Sequence, residues 1–153
     1  MTKIDFHILP TNLENDVFVY VARLAQKALN KGHRVLIATP NSNQSQLVSD
    51  ILWSCSPESF MAHTLIDQAQ FPLQISHESN CGDHHDILIN LCSDIPEYFS
   101  RFERIFEIVC QQPQWLATSR ERYRFYNDHG YAINRHDLRE RAWEWPTNQA
   151  LAP

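Results

Sequence analysis

A short basic and aromatic run near residue 120 holds the side chains of this 153-residue chain that are best suited to binding an anion. Residues 119–126 contain three arginines and three aromatic residues, although the chain has a formal net charge of -5. On a helix, Leu116, Arg120 and Tyr123 fall at spacings of four and three and share one face. Arg124 follows Arg120 by four positions and joins that face. Guanidinium donors beside an apolar floor predict a pocket for a carboxylate joined to an apolar group. The alternative is an amphipathic helix with ordinary solvated arginines.

A second group of chemically capable side chains is the sequence Cys-Gly-Asp-His-His-Asp at residues 81–86. Thiol, imidazole and carboxylate groups are zinc ligands, so a zinc site is one hypothesis for this segment. The ligand spacings of structural zinc sites are missing, however, and adjacent histidines in a short loop seldom converge on one ion. A polar, solvated turn is therefore the default interpretation.

Large apolar side chains bracket a proline-containing loop farther upstream. Trp53, Phe60 and Met61 lie on either side of Pro57. Loop geometry leaves some of these groups at the surface, and tryptophan and phenylalanine are typical anchors of protein interfaces. The segment is either a partner-binding surface or a cover for the edge of the sheet.

Signatures of nucleotide binding and catalysis are missing from the sequence. The chain has three glycines, Gly32, Gly82 and Gly130, which do not form the clustered loop that phosphate binding requires. No GxSxG element or catalytic-cysteine signature occurs. Glu103 and Glu107 belong on or near a strand of alternating character and are interpreted as solvated charges. We therefore expect no cofactor, no metal and no catalytic residue.

The elements that position these side chains follow from apolar periodicity and turn residues. Alternation over residues 4–9, ended by Pro10, predicts a strand with one covered face. Spacings of three and four over residues 14–31, followed by Gly32 as a C-cap, predict the first helix. Further strands are expected at 34–38, 71–77, 86–91 and 104–110, and further helices from after residue 43 to near 53, at 95–102 and at 114–127. This alternation predicts a single-domain, Rossmann-like, three-layer α/β fold with a mainly parallel central sheet and helices on both faces.

Composition narrows the class of protein. Hydrophobic residues make up 43% and charged residues 20%, which is typical of one globular domain. The negative net charge argues against duplex DNA as a partner, because phosphate binding calls for a basic surface. Four cysteines without CxxC spacing predict reduced, mostly buried thiols. No signal core and no apolar stretch of about 20 residues is found, so we expect a cytoplasmic protein.

Five motifs, taken in order, resemble the chi subunit of bacterial DNA polymerase III. They are the early strand and long helix, Gly-His-Arg-Val-Leu-Ile-Ala at 32–38, Leu-Trp at 52–53 with Glu-Ser-Phe at 58–60, Asp-Ile-Leu-Ile at 86–89, and Arg-Glu-Arg-Tyr-Arg at 120–124. The resemblance implies a chi-like α/β domain at residues 1–134. Residues 135–153 extend beyond the usual end of this family, and we expect a short helix capped by Asn134 and then a frayed tail.

This resemblance also implies a function. The family consists of non-catalytic clamp-loader accessory subunits of the DNA polymerase III holoenzyme, which act in DNA replication. They bind the psi subunit on one face and, on another, the acidic, Phe-ended C-terminal tail of single-stranded-DNA-binding protein. A helicase is a further candidate partner at the psi face. No intrinsic activity and no direct contact with nucleic acid are expected.

Particular residues carry these implied roles. The tail pocket is assigned to Val109, Leu116, Arg120, Tyr123 and Arg124, with Leu116 in place of a basic residue that the best-known relative has at this position. The psi-binding surface is assigned to Trp53, Pro57 and Phe60. Two alternatives stay open: a zinc-dependent enzyme using Cys81, Asp83, His84 and His85, and direct single-stranded DNA binding by the basic and aromatic helix, which the net charge disfavours.

Overall fold

The computed structural model of the chain describes residues 2–54, 64–65, 73–77 and 86–139. These ranges contain seven β-strands, three α-helices and one short 3-10 helix at Phe99–Arg101. The strands are β1 (Lys3–Ile8), β2 (Val35–Ala38), β3 (Thr64–Leu65), β4 (Leu73–Ser76), β5 (Ile87–Asn90), β6 (Arg104–Val109) and β7 (Ala132–Asp137). The helices are α1 (Glu14–Asn30), α2 (Ser42–Ser54) and α3 (Pro113–Asp128).

The seven strands form one sheet in the order β3-β4-β2-β5-β6-β1-β7. Every pairing between them is parallel. Parallel neighbours cannot be joined by tight hairpins, and among the described connections α1 lies between β1 and β2, α2 between β2 and β3, and α3 between β6 and β7. β2, β4 and β5 are buried along their whole lengths, as expected for strands covered on both faces. The predicted parallel α/β fold is confirmed.

Apolar side chains cover both faces of the sheet. On one face, Val21 of α1 and Val48 of α2 belong to a cluster that includes Ile37 of β2. On the other face, Tyr126 of α3 belongs to a cluster that includes Leu36, the residue next to Ile37 in β2. Because neighbouring residues of a strand point to opposite faces, the sheet is a middle layer between helices. The predicted three-layer arrangement is confirmed.

The first helix forms where its periodicity predicts it. Val17, Val21 and Ala25 are buried at spacings of four, and they form the face that packs on the sheet. Gly32 has a φ of +85°, a conformation that residues with a side chain rarely adopt. It ends the helix by donating its N–H to the carbonyl oxygen of Leu29 at 2.9 Å.

The first strand differs from its prediction. The alternation of apolar and polar residues predicts one covered face, but five of its six residues are buried. Asp5 is 1% exposed and His7 is 8% exposed. Both polar side chains find partners on neighbouring elements, which is why they are tolerated inside the protein.

Two predicted helices are also corrected. In the segment 95–102, only Phe99–Arg101 forms a short 3-10 helix. The segment from Arg135 does not begin a helix after an Asn134 cap, because residues 135–137 complete β7, which pairs with β1 from Lys3 to Ile8. Residues 140–153 lie outside the described part of the chain, so the expected tail there stays a prediction.

Two of the four cysteines are described. Cys92 and Cys110 are free thiols, and Cys110 is fully buried. Cys55 and Cys81 lie outside the described residues. No helix in the described ranges is both long and apolar enough to cross a lipid bilayer.

Candidate functional site

The helix α3 presents two chemically different faces. Ser119, Arg122 and Tyr126 are buried at spacings of three and four, and they point toward the sheet. Arg120 and Arg124 are exposed on the other side. Of the three arginines in the basic run, Arg122 therefore faces the protein interior, and only Arg120 and Arg124 are available to a partner.

The buried arginine is fixed by a buried carboxylate. Arg122 Nε donates a hydrogen bond to Glu107 Oε1 at 2.9 Å, and the two side chains are 4% and 0% exposed. Arg122 also donates to the carbonyl oxygen of Ser93 at 2.8 Å and to the hydroxyl of Ser119 at 3.1 Å. The interpretation of Glu107 as a solvated charge is wrong, since this side chain lies under α3 and pairs with it.

Two neutral groups complete the environment of this carboxylate. The hydroxyl of Tyr126 and the side-chain amide of Asn90 donate to Glu107 Oε2, at 2.7 and 3.0 Å. Burial raises the pKa of Glu107, while the Arg122 guanidinium and the hydrogen bonds from Asn90 and Tyr126 oppose that rise. The network joins α3, β5 and β6, and so it fixes the orientation of the helix on the sheet.

The apolar members of the predicted pocket are contiguous. Val109, at the end of β6, is 5% exposed and belongs to the cluster that also contains Phe6, and Leu116 packs against that cluster. The ring of Tyr123 lies edge-on to Phe6 with the ring centroids 5.4 Å apart. Tyr123 is still 37% exposed, so it joins the apolar cluster to the surface.

The two exposed arginines have no partner among the described residues. Neither Arg120 nor Arg124 forms a hydrogen bond or an ion pair with the part of the chain that the structure describes. Both lie one turn apart on α3, on either side of Tyr123 in sequence. The surface therefore combines two free guanidiniums with an exposed ring, a composition that suits a ligand with both a carboxylate and an apolar group.

The second predicted surface lies mostly outside the described residues. Trp53 is in the last turn of α2, but nothing is described of its side chain, and Pro57 and Phe60 lie in the undescribed segment. The psi-binding assignment of these residues therefore stays a prediction.

The candidate zinc cluster also falls outside the described residues, with one exception. Cys81, Asp83, His84 and His85 are not described, whereas Asp86 Oδ2 accepts a hydrogen bond from the backbone N–H of Arg34 at 2.7 Å. Within the described ranges, no group of three or more histidine, cysteine or acidic side chains is placed to hold a metal ion. The hypothesis of a zinc site is left untested.

The fold and the candidate site together indicate a small α/β protein with an exposed binding surface. The fold is a parallel, Rossmann-like α/β sheet, and its candidate site is an exposed basic and aromatic helix face. The sequence model of the family described as "DNA polymerase III chi subunit, HolC" matches residues 1–134. The chain belongs to this family, whose members are accessory subunits of DNA polymerase III in DNA replication.

Individual relatives support the same assignment. The chain is 31% identical to the DNA polymerase III subunit chi of Pseudomonas aeruginosa over 139 residues, which cover 90% of this chain and 98% of the relative. It is 29% identical to the subunit chi of Haemophilus influenzae, over 84% of this chain and 92% of the relative. It is 27% identical to that of Escherichia coli, over 74% of this chain and 80% of the relative.

Proposed function

We propose that this protein is a non-catalytic adaptor of the DNA polymerase III holoenzyme with two protein-binding surfaces. One surface binds the psi subunit and the other binds the acidic, Phe-ended C-terminal tail of single-stranded-DNA-binding protein. The protein thereby links the clamp loader to coated single-stranded template in the bacterial cytoplasm. It has no enzymatic activity of its own, and the arginines of α3 bind the protein tail rather than DNA.

The observation that carries the tail-binding proposal is the state of the three arginines on α3. Arg122 is buried and paired with Glu107, whereas Arg120 and Arg124 are exposed and have no partner among the described residues. A terminal carboxylate is matched by the planar donors of guanidinium groups. The free arginines therefore supply the charge that an acidic tail requires.

The aromatic end of the tail requires an apolar contact beside those donors. Tyr123 supports this part of the proposal, because its exposed ring lies against Phe6 and continues into the cluster of Val109 and Leu116. A terminal phenylalanine packed here would extend the cluster at the surface, and aromatic pairs of this kind contribute about 0.5–1.5 kcal/mol beyond the area they bury. Leu116 adds apolar area to this surface.

The rigid mounting of α3 favours binding of a flexible peptide. The ordering of side chains opposes association, so a surface that is already held in place loses less entropy when its ligand binds. The buried contacts of Arg122 and Tyr126 with Glu107 hold the helix in that way. We infer that this network acts on tail binding indirectly, by positioning Arg120 and Arg124.

The psi surface and the tail surface are assigned to different helices, which supports simultaneous binding of both partners. Trp53 is in the last turn of α2, and Val48 and Leu52 of that helix belong to the apolar cluster on the face of the sheet opposite Tyr126. Partners that use different faces need not compete. A helicase that used the psi face would compete with psi but not with the tail.

Separate capture experiments test the adaptor proposal. The purified protein is immobilised and challenged with psi alone, with a synthetic tail peptide alone, with both together and with a single-stranded oligonucleotide. We expect retention of psi and of the peptide, no mutual displacement, and no retention of the oligonucleotide. Displacement of one protein ligand by the other would reject two independent surfaces, and retention of the oligonucleotide alone would favour direct DNA binding.

A further inference from the structure

A cavity of about 490 Å³, lined by charged and apolar side chains, lies on the α1 side of the sheet. Its walls come from the C-terminal half of α1 and from the sheet end where β6, β1 and β7 are neighbours. Lys3, Lys27 and Lys31 contribute to its lining. It shares no residue with the surface formed by Arg120, Tyr123 and Arg124.

Charged groups from three adjacent strands form one wall of this cavity. Asp5 Oδ2 accepts a hydrogen bond from Arg104 Nε at 2.6 Å, and Asp5 Oδ1 lies 3.3 Å from His136 Nε2. The side chain of Arg104 is 46% exposed, and its two terminal nitrogens form no hydrogen bond with the described residues. Asp5 is thus neutralised by Arg104, which still has donors for a ligand.

A buried histidine in the same wall has an unused ring nitrogen. His7 is 8% exposed, its Nδ1 lies 2.7 Å from the hydroxyl of Tyr20, and its ring stacks on His136 with centroids 4.8 Å apart. Its Nε2 is buried and has no hydrogen-bond partner in the described part of the chain. When the Tyr20 hydroxyl donates to Nδ1, the ring proton is on Nε2, which then lacks an acceptor. Buried polar atoms without partners are uncommon, and this one belongs to a residue that lines the cavity.

The lysines around the cavity carry charge that no described acidic side chain neutralises through an ion pair. Lys3, Lys27 and Lys31 form no ion pair with the described residues. Two acidic residues also line the cavity: Glu103 is exposed, and Asp86 accepts the backbone N–H of Arg34. Since Arg104 is paired with Asp5, the three lysines outnumber the two remaining acidic residues of the lining, within a chain of net charge -5.

We propose that this cavity binds a small organic phosphate. A phosphate group presents several anionic oxygens at once, which matches the three lysines that line the cavity and the free nitrogens of Arg104. The cavity volume is larger than a lone phosphate requires and lies within the range of small-molecule sites, about 300–1,000 Å³. The remaining space accommodates the organic part of the ligand.

An alternative role for two of the lysines is to offset the partial negative charge at the C-terminal end of α1. Lys27 and Lys31 lie in and just after the last turn of α1, where carbonyl groups carry partial negative charge. That role would require neither Lys3, nor the free nitrogens of Arg104, nor the unused nitrogen of His7. The two explanations are separated by a binding measurement.

Calorimetric titration tests the proposal with four probes: adenosine monophosphate, pyrophosphate, adenosine and succinate. The variants are Lys27→Gln and Lys31→Gln, and the matched control is Arg23→Gln, an exposed charge of α1 that does not line the cavity. We expect saturable binding of the two phosphate probes and much weaker binding of the other two. Each lysine variant weakens binding of the phosphate probes about tenfold, the effect of losing one charged hydrogen bond, and Arg23→Gln leaves it unchanged.

Three results would overturn the proposal. If neither phosphate probe binds, the lysines serve only to offset the partial negative charge at the end of α1. Equal weakening by all three variants indicates non-specific attraction, and equal binding of succinate shows that the site does not select phosphate. Binding of the tail peptide by the same variants verifies that they are folded, because that surface lies on the other side of the sheet.

Discussion

Glu107 and Arg122 form an ion pair that is almost completely removed from solvent, with 2.9 Å between Oε1 and Nε. The pair joins β6 to the buried side of α3. Because Arg122 is turned inward, the neighbouring Arg120 and Arg124 are the ones that remain at the surface. One buried contact therefore determines which arginines of the basic run can meet a partner.

Removal of the buried arginine is expected to be strongly destabilising. Arg122→Met leaves the Glu107 carboxylate buried without its charged partner, which reduces the free energy of unfolding by about 3–5 kcal/mol. Urea denaturation followed by circular dichroism measures this change. Arg120→Met is the matched control, and it should have little effect because Arg120 is exposed and unpaired within the described residues.

A second substitution checks the reason for that loss. Adding Glu107→Gln to Arg122→Met replaces the buried charge with a neutral amide and should recover part of the stability. If the double variant is less stable than Arg122→Met, uncompensated charge is not the cause.

The hydroxyl of Tyr126 should make its own contribution to this network. Tyr126→Phe keeps the ring, which packs on Phe6 and Phe99, and removes only the donor that lies 2.7 Å from Glu107. Loss of a hydrogen bond to a charged group predicts destabilisation of about 1.5–3 kcal/mol. Thermal or chemical unfolding measures it, with the surface change Tyr123→Phe as the control. A loss no larger than that of the control would show that the carboxylate does not depend on this donor.

The pH dependence of stability should reflect His7. Burial lowers the pKa of His7 to about 4 from the usual 6.5, and His136, Arg104 and Lys27 act in the same direction. Asp5 opposes them. The unfolded chain takes up a proton as the pH falls below 6.5, while the folded protein does so only near 4, so stability is lost on acidification through this range. The shift corresponds to about 3 kcal/mol.

Comparison with a neutral variant isolates this effect from other titrating groups. His7→Gln has no imidazole to protonate, so its free energy of unfolding should depend less on pH between 6.5 and 4. The measurement is a series of urea titrations across that interval for both proteins. Parallel pH profiles would show that His7 titrates normally in the folded state.

The psi surface should be separable from the tail surface by mutation. Trp53→Ala is expected to abolish co-purification with psi because it removes a large aromatic anchor from the proposed interface. Peptide binding should persist, since Trp53 and Arg124 belong to different helices. Retention of psi by this variant would contradict the assignment, and loss of both ligands would mean that the domain has unfolded.

Local features explain which parts of the fold are predictable from sequence. The spacing of Val17, Val21 and Ala25, and the glycine that follows the helix, specify α1 without reference to any other element. The apolar strands are similarly recognisable from continuous runs. Residues 135–137 form a strand because β1 provides a hydrogen-bonding neighbour, and that neighbour lies about 130 residues earlier in the chain.

Buried polar side chains are the features that sequence patterns missed. Glu107 looks like a solvated residue of an alternating strand until Arg122, 15 positions later, is placed above it. Asp5 is paired with Arg104 across 99 positions. In the candidate site, helical spacing was sufficient to place Arg120 and Arg124 together on a face. The same spacing did not reveal that Arg122 is buried, although Arg122 lies three residues after Ser119 and four before Tyr126, the other two buried residues of α3.

Calorimetric titration with an acidic peptide ending in phenylalanine tests the adaptor function most directly. Arg120→Ala and Arg124→Ala should each weaken binding by about 1–3 kcal/mol, the contribution of a charged hydrogen bond, while stability is unchanged. Arg23→Ala, which removes an exposed arginine from α1, should bind as the unmodified protein does. Equal affinities for all four proteins would contradict the assignment of this surface as the receptor for the tail.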